Sequence, residues 1–453
     1  MSFEISLGQL QQIIAPDNLN LTKEASKIKA LGIGTDSRKP LAGKIFLALE
    51  GQNFDGHNFI ETAIEKDAIA LIISRNLSVK IPKHIPQFLV KDTLKAYQKI
   101  ARWWRDRCDF PIVAITGSVG KTTTKELIAA VLETTGKVLK TEANYNNEIG
   151  VPKTLLKLDL GHNYAAIEMA MRASGEIALL TNIARPTIGV ITNVGTAHIG
   201  RLGSREAIAK AKCELLAEME RSSVAILNHD DRLLMKTAAE VWQGETISFG
   251  LEGGNICGKL IERDILQVEG LNLPLPLPGR HNAYNYLAAI AVAKVLGIDL
   301  KKLERGMAVS LPEGRSRLLN LPEDIVILDE TYNAGLESTI AALNLLKETP
   351  GLRHIAVLGT MKELGEESAR LHRQVGETAK KLAIDLLFIL VDESETAEIA
   401  AGAGESIATQ LFHSRQELLK KLKETVKSGD RVLFKASNSV GLNRVIEQFR
   451  AEL

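Results

Sequence analysis

The segment Ile112-Val113-Ala114-Ile115-Thr116-Gly117-Ser118-Val119-Gly120-Lys121-Thr122-Thr123 constrains this chain more than any other stretch. A short β-branched run gives way to a glycine turn, which opens at once into a lysine and threonines. Leu127, Ile128, Val131 and Leu132 follow at helical spacing, so the turn joins a strand to a helix. That arrangement presents backbone N–H groups and a helix N-terminus to a polyphosphate. The glycines let the main chain approach phosphate oxygens, Lys121 reaches the β/γ end, and Thr122 can ligate Mg²⁺. The pattern is G-x-x-G-K-T, with Ile115 where the usual longer loop has its first glycine. As a bare string it also fits an ordinary glycine turn. The strand before it and the helix after it favour a nucleotide, ATP or GTP, and leave the reaction open.

At 453 residues, the chain has room for roughly two to four domains. Hydrophobic residues make up 45% and charged residues 25%, which supplies ample core for globular units. The 56 basic and 55 acidic residues nearly cancel to +1, so no global field favours nucleic acid. Arg102, Arg105 and Arg107 form the densest basic stretch, and Leu94, Tyr97, Ile100 and Trp104 line one face there. This reads as a solvated helix surface packed through the tryptophan. Cys108, Cys213 and Cys257 are sparse and lack metal-site spacing, as expected in a reducing cytoplasm. No basic segment followed by a long apolar stretch opens the chain, and no apolar run approaches the ~20 residues of a membrane span. A cytoplasmic chain without membrane insertion is the expectation.

Three α/β blocks emerge. A small N-terminal block, 1–109, has strands at Lys44–Leu49, Ala68–Ile73 and Gln87–Val90, with a helix near Phe59–Lys66. A central block, 110–312, alternates strands with helices after the glycine loop, including Tyr164–Met169, Thr187–Thr192 and Ser223–Leu227. Such alternation argues for a P-loop-type parallel sheet covered by helices. It closes on the extended strip Leu273–Gly279 and a helix from Asn282 to Leu296. The last block, 313–453, repeats the alternation in a Rossmann-like pattern, with strands at Ile325–Leu328, His354–Leu358, Leu386–Val391 and Arg431–Phe434.

Several polar residues fall where parallel strands should end, the place where α/β folds bind ligands. Glu168 closes one run and His198 follows another. Each alone reads as a surface cap or a satisfied histidine; together, beside a phosphate loop, they suggest a Mg²⁺ site, although Mg²⁺ prefers oxygen. Lys212, in Ala209-Lys210-Ala211-Lys212-Cys213-Glu214, reads by itself as a helix-surface lysine. Arg315 is suited to neutralising a moving phosphoryl group, and Asp329, just after a strand, to accepting from ribose hydroxyls.

Taken together these segments resemble the Mur ligase family, ATP-dependent amide-forming enzymes of peptidoglycan precursor synthesis. The resemblance covers nearly the whole chain. It includes Thr35-Asp36-Ser37-Arg38 and Asp55-Gly56-His57, the T-G-S-V-G-K-T loop, Asn144-Tyr145-Asn146-Asn147-Glu148-Ile149-Gly150, Glu168, His198 and the segment around Lys212. It continues through Gly279-Arg280-His281-Asn282, Gly314-Arg315, Asp329-Glu330-Thr331-Tyr332-Asn333-Ala334, Met361-Lys362-Glu363-Leu364-Gly365 and Lys435. Asp-x-x-Tyr-Asn-Ala is typical of the member that adds D-alanyl-D-alanine. The Asp-Asn-Pro-Arg motif of the diamino-acid-adding relative does not occur, and Tyr332 stands where a folylpolyglutamate synthase would carry histidine.

The resemblance implies a set of roles. Gly117, Ser118, Val119, Gly120, Lys121, Thr122 and Thr123 would hold the ATP phosphates, with Asn282 on adenine, Asp329 on ribose and Arg315 on the γ-phosphate. Thr122 and Glu168 would bind one Mg²⁺; His198 and a carbamylated Lys212 would bind a second. Ser37, Arg38, Asp55, His57, Asn144, Asn146 and Asn147 would face UDP-MurNAc-tripeptide. Tyr332, Asn333 and Lys435 would face D-alanyl-D-alanine in a last domain that closes on ATP. A monomer acting on small molecules, without nucleic acid, is implied. Three departures stand out: Thr360 for an aspartate common in relatives, Gly200 for a glutamate, and Ala436-Ser437-Asn438 for Gly-Ser-Arg. The rival expectations are another Mur-type amide ligase, diamino-acid-adding or folylpolyglutamate-like, and a non-catalytic ATP-binding homologue.

Overall fold

The computed structural model describes residues 2–19 and 21–452. Three sheets of five or more strands follow one another along the chain. The first has five strands in the order Asn18–Leu19, Gln87–Leu89, Ala70–Ile73, Ile45–Leu47 and Ile33–Gly34, parallel except for the outermost Asn18–Leu19. The middle sheet has nine strands. Ile112–Thr116, buried at every position, lies between Tyr164–Glu168 and Ile188–Ile191, parallel to both. The last sheet has six strands, with Ile325–Asp329 and Arg353–Gly359 each parallel to Asp430–Lys435 between them.

The central sheet departs from the all-parallel expectation. Beyond Glu245–Gly250 and Ile256–Glu262 it continues as an antiparallel meander through Ile265–Val268 and Leu271–Pro274. The cause is local: Glu269 and Gly270 both have positive φ, 51° and 82°, as a two-residue hairpin turn requires. The strip expected to be simply extended therefore begins as the meander's last strand, and the helix after it starts at Arg280. The last sheet likewise opens with an antiparallel strand, Arg317–Leu321, paired with Ile325–Asp329.

Helices Lys121–Glu133 and Arg280–Val295 pack together over one face of the middle sheet, where Ile115, Leu127, Val131, Tyr286 and Ile290 share one apolar cluster. The opposite face belongs to a cluster that joins all three units, from Phe3 and Trp104 through Ile167 and Ile191 to Leu358 and Leu364. Burial of this kind fixes how the units meet, at about 25 cal/mol per Å² of apolar surface.

The helix Thr93–Arg105 buries Tyr97, Ile100 and Trp104 as expected. Arg105 is a correction: it is buried, not solvated, and donates to the Ala184, Cys108 and Arg185 carbonyls at 2.7–2.8 Å. It satisfies carbonyls at the end of Glu176–Ala184 that have no partner inside the helix. No described helix is long and apolar enough to cross a membrane.

Candidate active site at the P-loop

From Ile112–Thr116 the chain first builds the strands on one side, then crosses to build those on the other. The carboxyl ends of the strands at such a switch leave a crevice. The glycine loop, Glu168 and the segment bearing His198 all leave strands at that edge.

The loop is held by its neighbours. Asn193 Oδ1 accepts from Val119 N at 3.0 Å, and Gly195 N donates to Ser118 Oγ at 2.8 Å. Gly120 begins the helix at φ 83°, and a Cβ there would lie 2.5 Å from Asn285 Oδ1, so only glycine fits. Lys121 Nζ curls back to the Gly117 and Ser118 carbonyls at 2.8 and 3.2 Å. Desolvation lowers its pKa; Glu168 opposes this and Arg315 adds to it.

Glu168 is buried, with both oxygens engaged. Thr122 Oγ1 donates to Oε2 at 2.8 Å and Asn146 Nδ2 to Oε1 at 2.7 Å. A hydroxyl and a carboxylate are hard oxygen donors, and Mg²⁺ is usually bound by one or two carboxylates plus substrate phosphates. Among the described residues no three His, Cys, Asp or Glu side chains assemble into a protein-only metal cage. The donors present therefore fit Mg²⁺ as a partial shell beside phosphate oxygens.

His198 lies on the same crevice at φ 66°. Burial and then Lys121 lower its pKa, with Lys212 adding to the effect and Glu363 opposing it. Its Nδ1 lies 2.7 Å from Glu363 Oε2, in the last unit, and Arg201 donates to the other Glu363 oxygen at 3.2 Å. Lys212 is 2% exposed, whereas Lys210, two residues away, faces solvent. Burial, then Lys121, holds its amine well below the usual lysine range. The helix-surface reading of Lys212 is thus corrected.

From the last unit, Arg315 stacks over Tyr332 at 3.8 Å, and its Nε is buried without a hydrogen-bond partner. Lys435 is buried and donates to the Asn333 carbonyl at 2.9 Å, and burial lowers its pKa. Arg315, Tyr332, Asn333 and Lys435 line one cavity of about 880 Å³ with the glycine loop, Asn146, Glu168, His198 and Asn282. Asn282 Nδ2 donates to the Pro278 carbonyl at 2.7 Å, and its Oδ1 accepts from Asn285 at 3.1 Å. One amide hydrogen therefore remains for a ligand.

Other expected site residues stand apart. Asp329 lines a second cleft, of about 660 Å³, that shares Thr122, Gly314, Arg315 and Tyr332 with the first. Its Oδ1 accepts from Thr331 N and Oγ1. Asn144 lines that second cleft too, while Asn147 Oδ1 accepts from Gly150 N at 2.9 Å. Ser37, Arg38, Asp55 and His57 line neither cavity. Ser37 is buried, and Arg38 is exposed and forked onto Asp36. His57 Nδ1 lies 2.7 Å from Asp55, and Nε2 accepts from Ser74 N at 3.0 Å. With both ring nitrogens occupied, His57 orders the loop rather than offering a free nitrogen to substrate.

Sequence reasoning missed the acids that bridge the units: Glu363 at His198, and Glu337, which accepts from Thr196 N at 2.8 Å. The only signal for Glu363 was its place in the Met361–Gly365 segment. The Gly200 departure has a steric cause. A Cβ at Gly200 would lie 2.5 Å from Gly365 N, so no side chain fits, and Glu363 brings the carboxylate from the other unit. At Thr360 the hydroxyl bonds to Asp392, so a carboxylate again comes from a neighbouring segment.

Comparison with known proteins gives the same picture. The family model for the Mur ligase middle domain matches residues 115–293. The Mur ligase, glutamate ligase domain matches 314–438, and the Mur ligase family catalytic domain matches 29–103. The UDP-N-acetylmuramoyl-tripeptide–D-alanyl-D-alanine ligase of Synechocystis sp. is 53% identical over 452 residues, 100% of this chain and 99% of that protein. The Escherichia coli enzyme of the same name is 34% identical over 98% of this chain and 97% of its own length. A crystal structure of MurF from Acinetobacter baumannii superposes with a TM-score of 0.89 at 28% identity, covering 99% of each chain. MurF ligase from Thermotoga maritima in complex with ADP does so at 0.82 and 31%, over 93% of this chain and 97% of that one.

Proposed function

The chain belongs to the Mur ligase family, and from that membership we infer that it joins D-alanyl-D-alanine to UDP-N-acetylmuramoyl-tripeptide in peptidoglycan precursor synthesis. It is an ATP-dependent, amide-forming ligase. The observation that carries the reading is the meeting of Arg315, from the last unit, with Lys121 and Thr122 of the middle one at the wall of a single cavity. We take the units as domains 1–109, 110–312 and 313–453, acting as one chain.

The reaction brings two anions together, the peptide carboxylate and the ATP γ-phosphate, so cations must lower the barrier. Lys121 and the N–H groups of Gly117–Thr123 neutralise the phosphates, and Arg315, whose buried Nε has no hydrogen-bond partner, supplies a cation for the charge of the moving phosphoryl group. Asn282 takes adenine and Asp329 ribose. Attack by the carboxylate on the γ-phosphorus gives an acyl phosphate and ADP. The dipeptide amine then attacks the acyl carbon and phosphate leaves. Thr122 and Glu168 would hold one Mg²⁺, and His198 with a carbamylated Lys212 a second; such ions supply Lewis-acid stabilisation of phosphoryl oxygens.

Lys212 suits carbamylation because only a neutral amine attacks CO₂, and its surroundings disfavour the ammonium. Ser37, Arg38 and Asp55, with Asn144, Asn146 and Asn147, serve the nucleotide-peptide, with His57 ordering their loop. Tyr332, Asn333 and Lys435 shape the dipeptide side. Closure of the last domain through Glu363 and Glu337 keeps water from the acyl phosphate.

A substrate panel with ADP detection tests this. ADP should form only when UDP-MurNAc-tripeptide and D-alanyl-D-alanine are both present. Equal ADP release with a free diamino acid would assign the chain to the sibling activity, and none with any pair would make it a non-catalytic homologue.

A further inference from the structure

Lys125 lines neither cavity and takes no part in the chemistry above, yet its side chain is only 1% exposed. Burying an ammonium is costly unless carboxylate or carbonyl oxygens surround it. Two such groups do. Its Nζ pairs with Glu126 Oε1 at 2.8 Å and donates to the Thr141 carbonyl at 2.6 Å. The other Glu126 oxygen accepts from Lys140 Nζ at 2.6 Å, and Lys140 is partly exposed. Glu126 offsets the charge of Lys125, and the bond to Thr141 gives that charge a direction.

Thr141 follows the strand Val138–Lys140 and is itself buried. Its N–H donates to the Ala166 carbonyl at 3.0 Å, and its Oγ1 accepts from Glu168 N at 3.0 Å. Amide, hydroxyl and carbonyl of Thr141 are therefore all engaged. Thr122 and Lys125 stand three residues apart on the helix Lys121–Glu133, so they are neighbours on its surface. Thr122 holds Glu168 at Oε2; Lys125 holds it at the main chain, through Thr141. Thr141 also begins the segment that brings Asn146 to Glu168 Oε1.

We propose that Lys125 is a positioning residue for the metal site: it fixes Thr141, and through Thr141 the aim of the Glu168 carboxylate that, with Thr122, would hold Mg²⁺. The proposal rests on the ligase reading above and adds a residue which that reading does not use. Mg²⁺ demands near-ideal octahedral geometry, so a carboxylate free to tilt binds it less well. The phosphate loop is held separately, by Asn193 and the Gly195 N–H, and should be spared.

The test uses the full-length enzyme with ADP and Mn²⁺ as the spectroscopic substitute for Mg²⁺, the free ion being counted by electron paramagnetic resonance. Lys125→Met keeps the stem and removes the ammonium; Thr141→Val removes the hydroxyl that meets Glu168 N. Each should weaken Mn²⁺ binding about tenfold, as loss of a group behind a metal ligand does, and raise the Mg²⁺ needed for half-maximal ADP formation by a similar factor. Metal-free ADP affinity and KM for D-alanyl-D-alanine should stay within about twofold, and the double variant should be no weaker than the weaker single one, because both act at one point. Lys140→Met, which takes one partner from Glu126 and leaves Thr141 alone, and Thr141→Ser, which keeps the hydroxyl, should match wild type. A Lys125→Met enzyme with a lower Tm and unchanged Mn²⁺ affinity overturns the proposal and leaves the residue to folding alone. An equal loss in Lys140→Met, or losses that multiply in the double variant, overturns it too. If Lys125→Met does not fold, Lys125→Gln, which removes the charge and shortens the reach of the donor, is judged by the same measurements. A wild type that forms no ADP with both substrates at any Mg²⁺ concentration overturns the ligase reading beneath it.

Discussion

His198 Nδ1 and Glu363 Oε2 lie 2.7 Å apart although 165 positions separate them in the chain, and both residues hold left-handed backbones, at φ 66° and 65°. Non-glycine residues adopt that conformation seldom and at a cost, so surrounding contacts must hold it. Gly200 and Gly365 supply one such contact, backbone against backbone, where neither tolerates a Cβ. The last unit is thus fastened to the middle one beside the phosphate loop. Glu363→Ala should reduce kcat about tenfold while leaving nucleotide affinity within about threefold, since the loop itself is untouched. Gly200→Ala, which drives a methyl into Gly365, should act in the same direction. Steady-state rates set beside calorimetric nucleotide binding check both; a loss of nucleotide affinity equal to the loss of rate would mean that the pair supports the loop instead.

Lys121 and Arg315 approach the same cavity from different units, and, after burial, Arg315 contributes to the depressed pKa of Lys121. An anion between two neighbouring positive groups relieves their repulsion. Lys121→Ala should cut ADP formation by about 10²-fold or more. Arg315→Lys keeps the charge but loses the stack on Tyr332 and the planar fork, and should cost about tenfold. ADP release at saturating substrates decides both, and near-wild-type turnover of Lys121→Ala would remove the phosphate role.

The P-loop, Glu168 and the α/β alternation were legible because each is local: a strand, a turn and a helix written in consecutive residues. The antiparallel meander was not, since Glu269-Gly270 signals a hairpin only once the flanking strands are known to pair. Lys210 and Lys212 look alike in sequence, and only packing of their helix decides which one is buried. Arg105 escaped for the same reason, because its carbonyl partners at Ala184 and Arg185 lie about 80 positions on. Glu363 could not be matched to His198 from periodicity, because the contact exists only after two units dock.

Asp55 gives an acid-side prediction. Although burial opposes ionisation, hydrogen bonds from Arg75 and His57 hold its carboxyl at about 2, below the ordinary 3.8. A folded-state pKa below the unfolded one adds stability that is complete above about pH 4 and lost as pH falls through 2. Asp55→Asn should therefore lower the Tm at pH 7, and the gap to wild type should narrow steadily between pH 4 and 2. Thermal unfolding across that window tests it; a gap independent of pH would assign the loss to packing.

Lys212 carries the opposite sign. Its amine is buried and its folded-state pKa lies well below 10.5, while the unfolded chain keeps the ordinary value. Below pH 10.5 the unfolded state binds a proton that the folded state does not, so the residue destabilises the fold, increasingly as pH falls, until its own lowered pKa is reached. Lys212→Met, which keeps the stem and removes the amine, should raise the Tm in CO₂-free buffer at pH 7 by about 2–4 °C, with the gain shrinking as pH approaches 10. The same variant should lose most ligase activity. Wild-type activity should in turn fall when CO₂ is removed and return when bicarbonate is added, because a carbamate on the proposed Lys212 amine would form reversibly. A variant that is more stable and fully active, or a wild type indifferent to CO₂, would leave the buried amine without the role assigned to it.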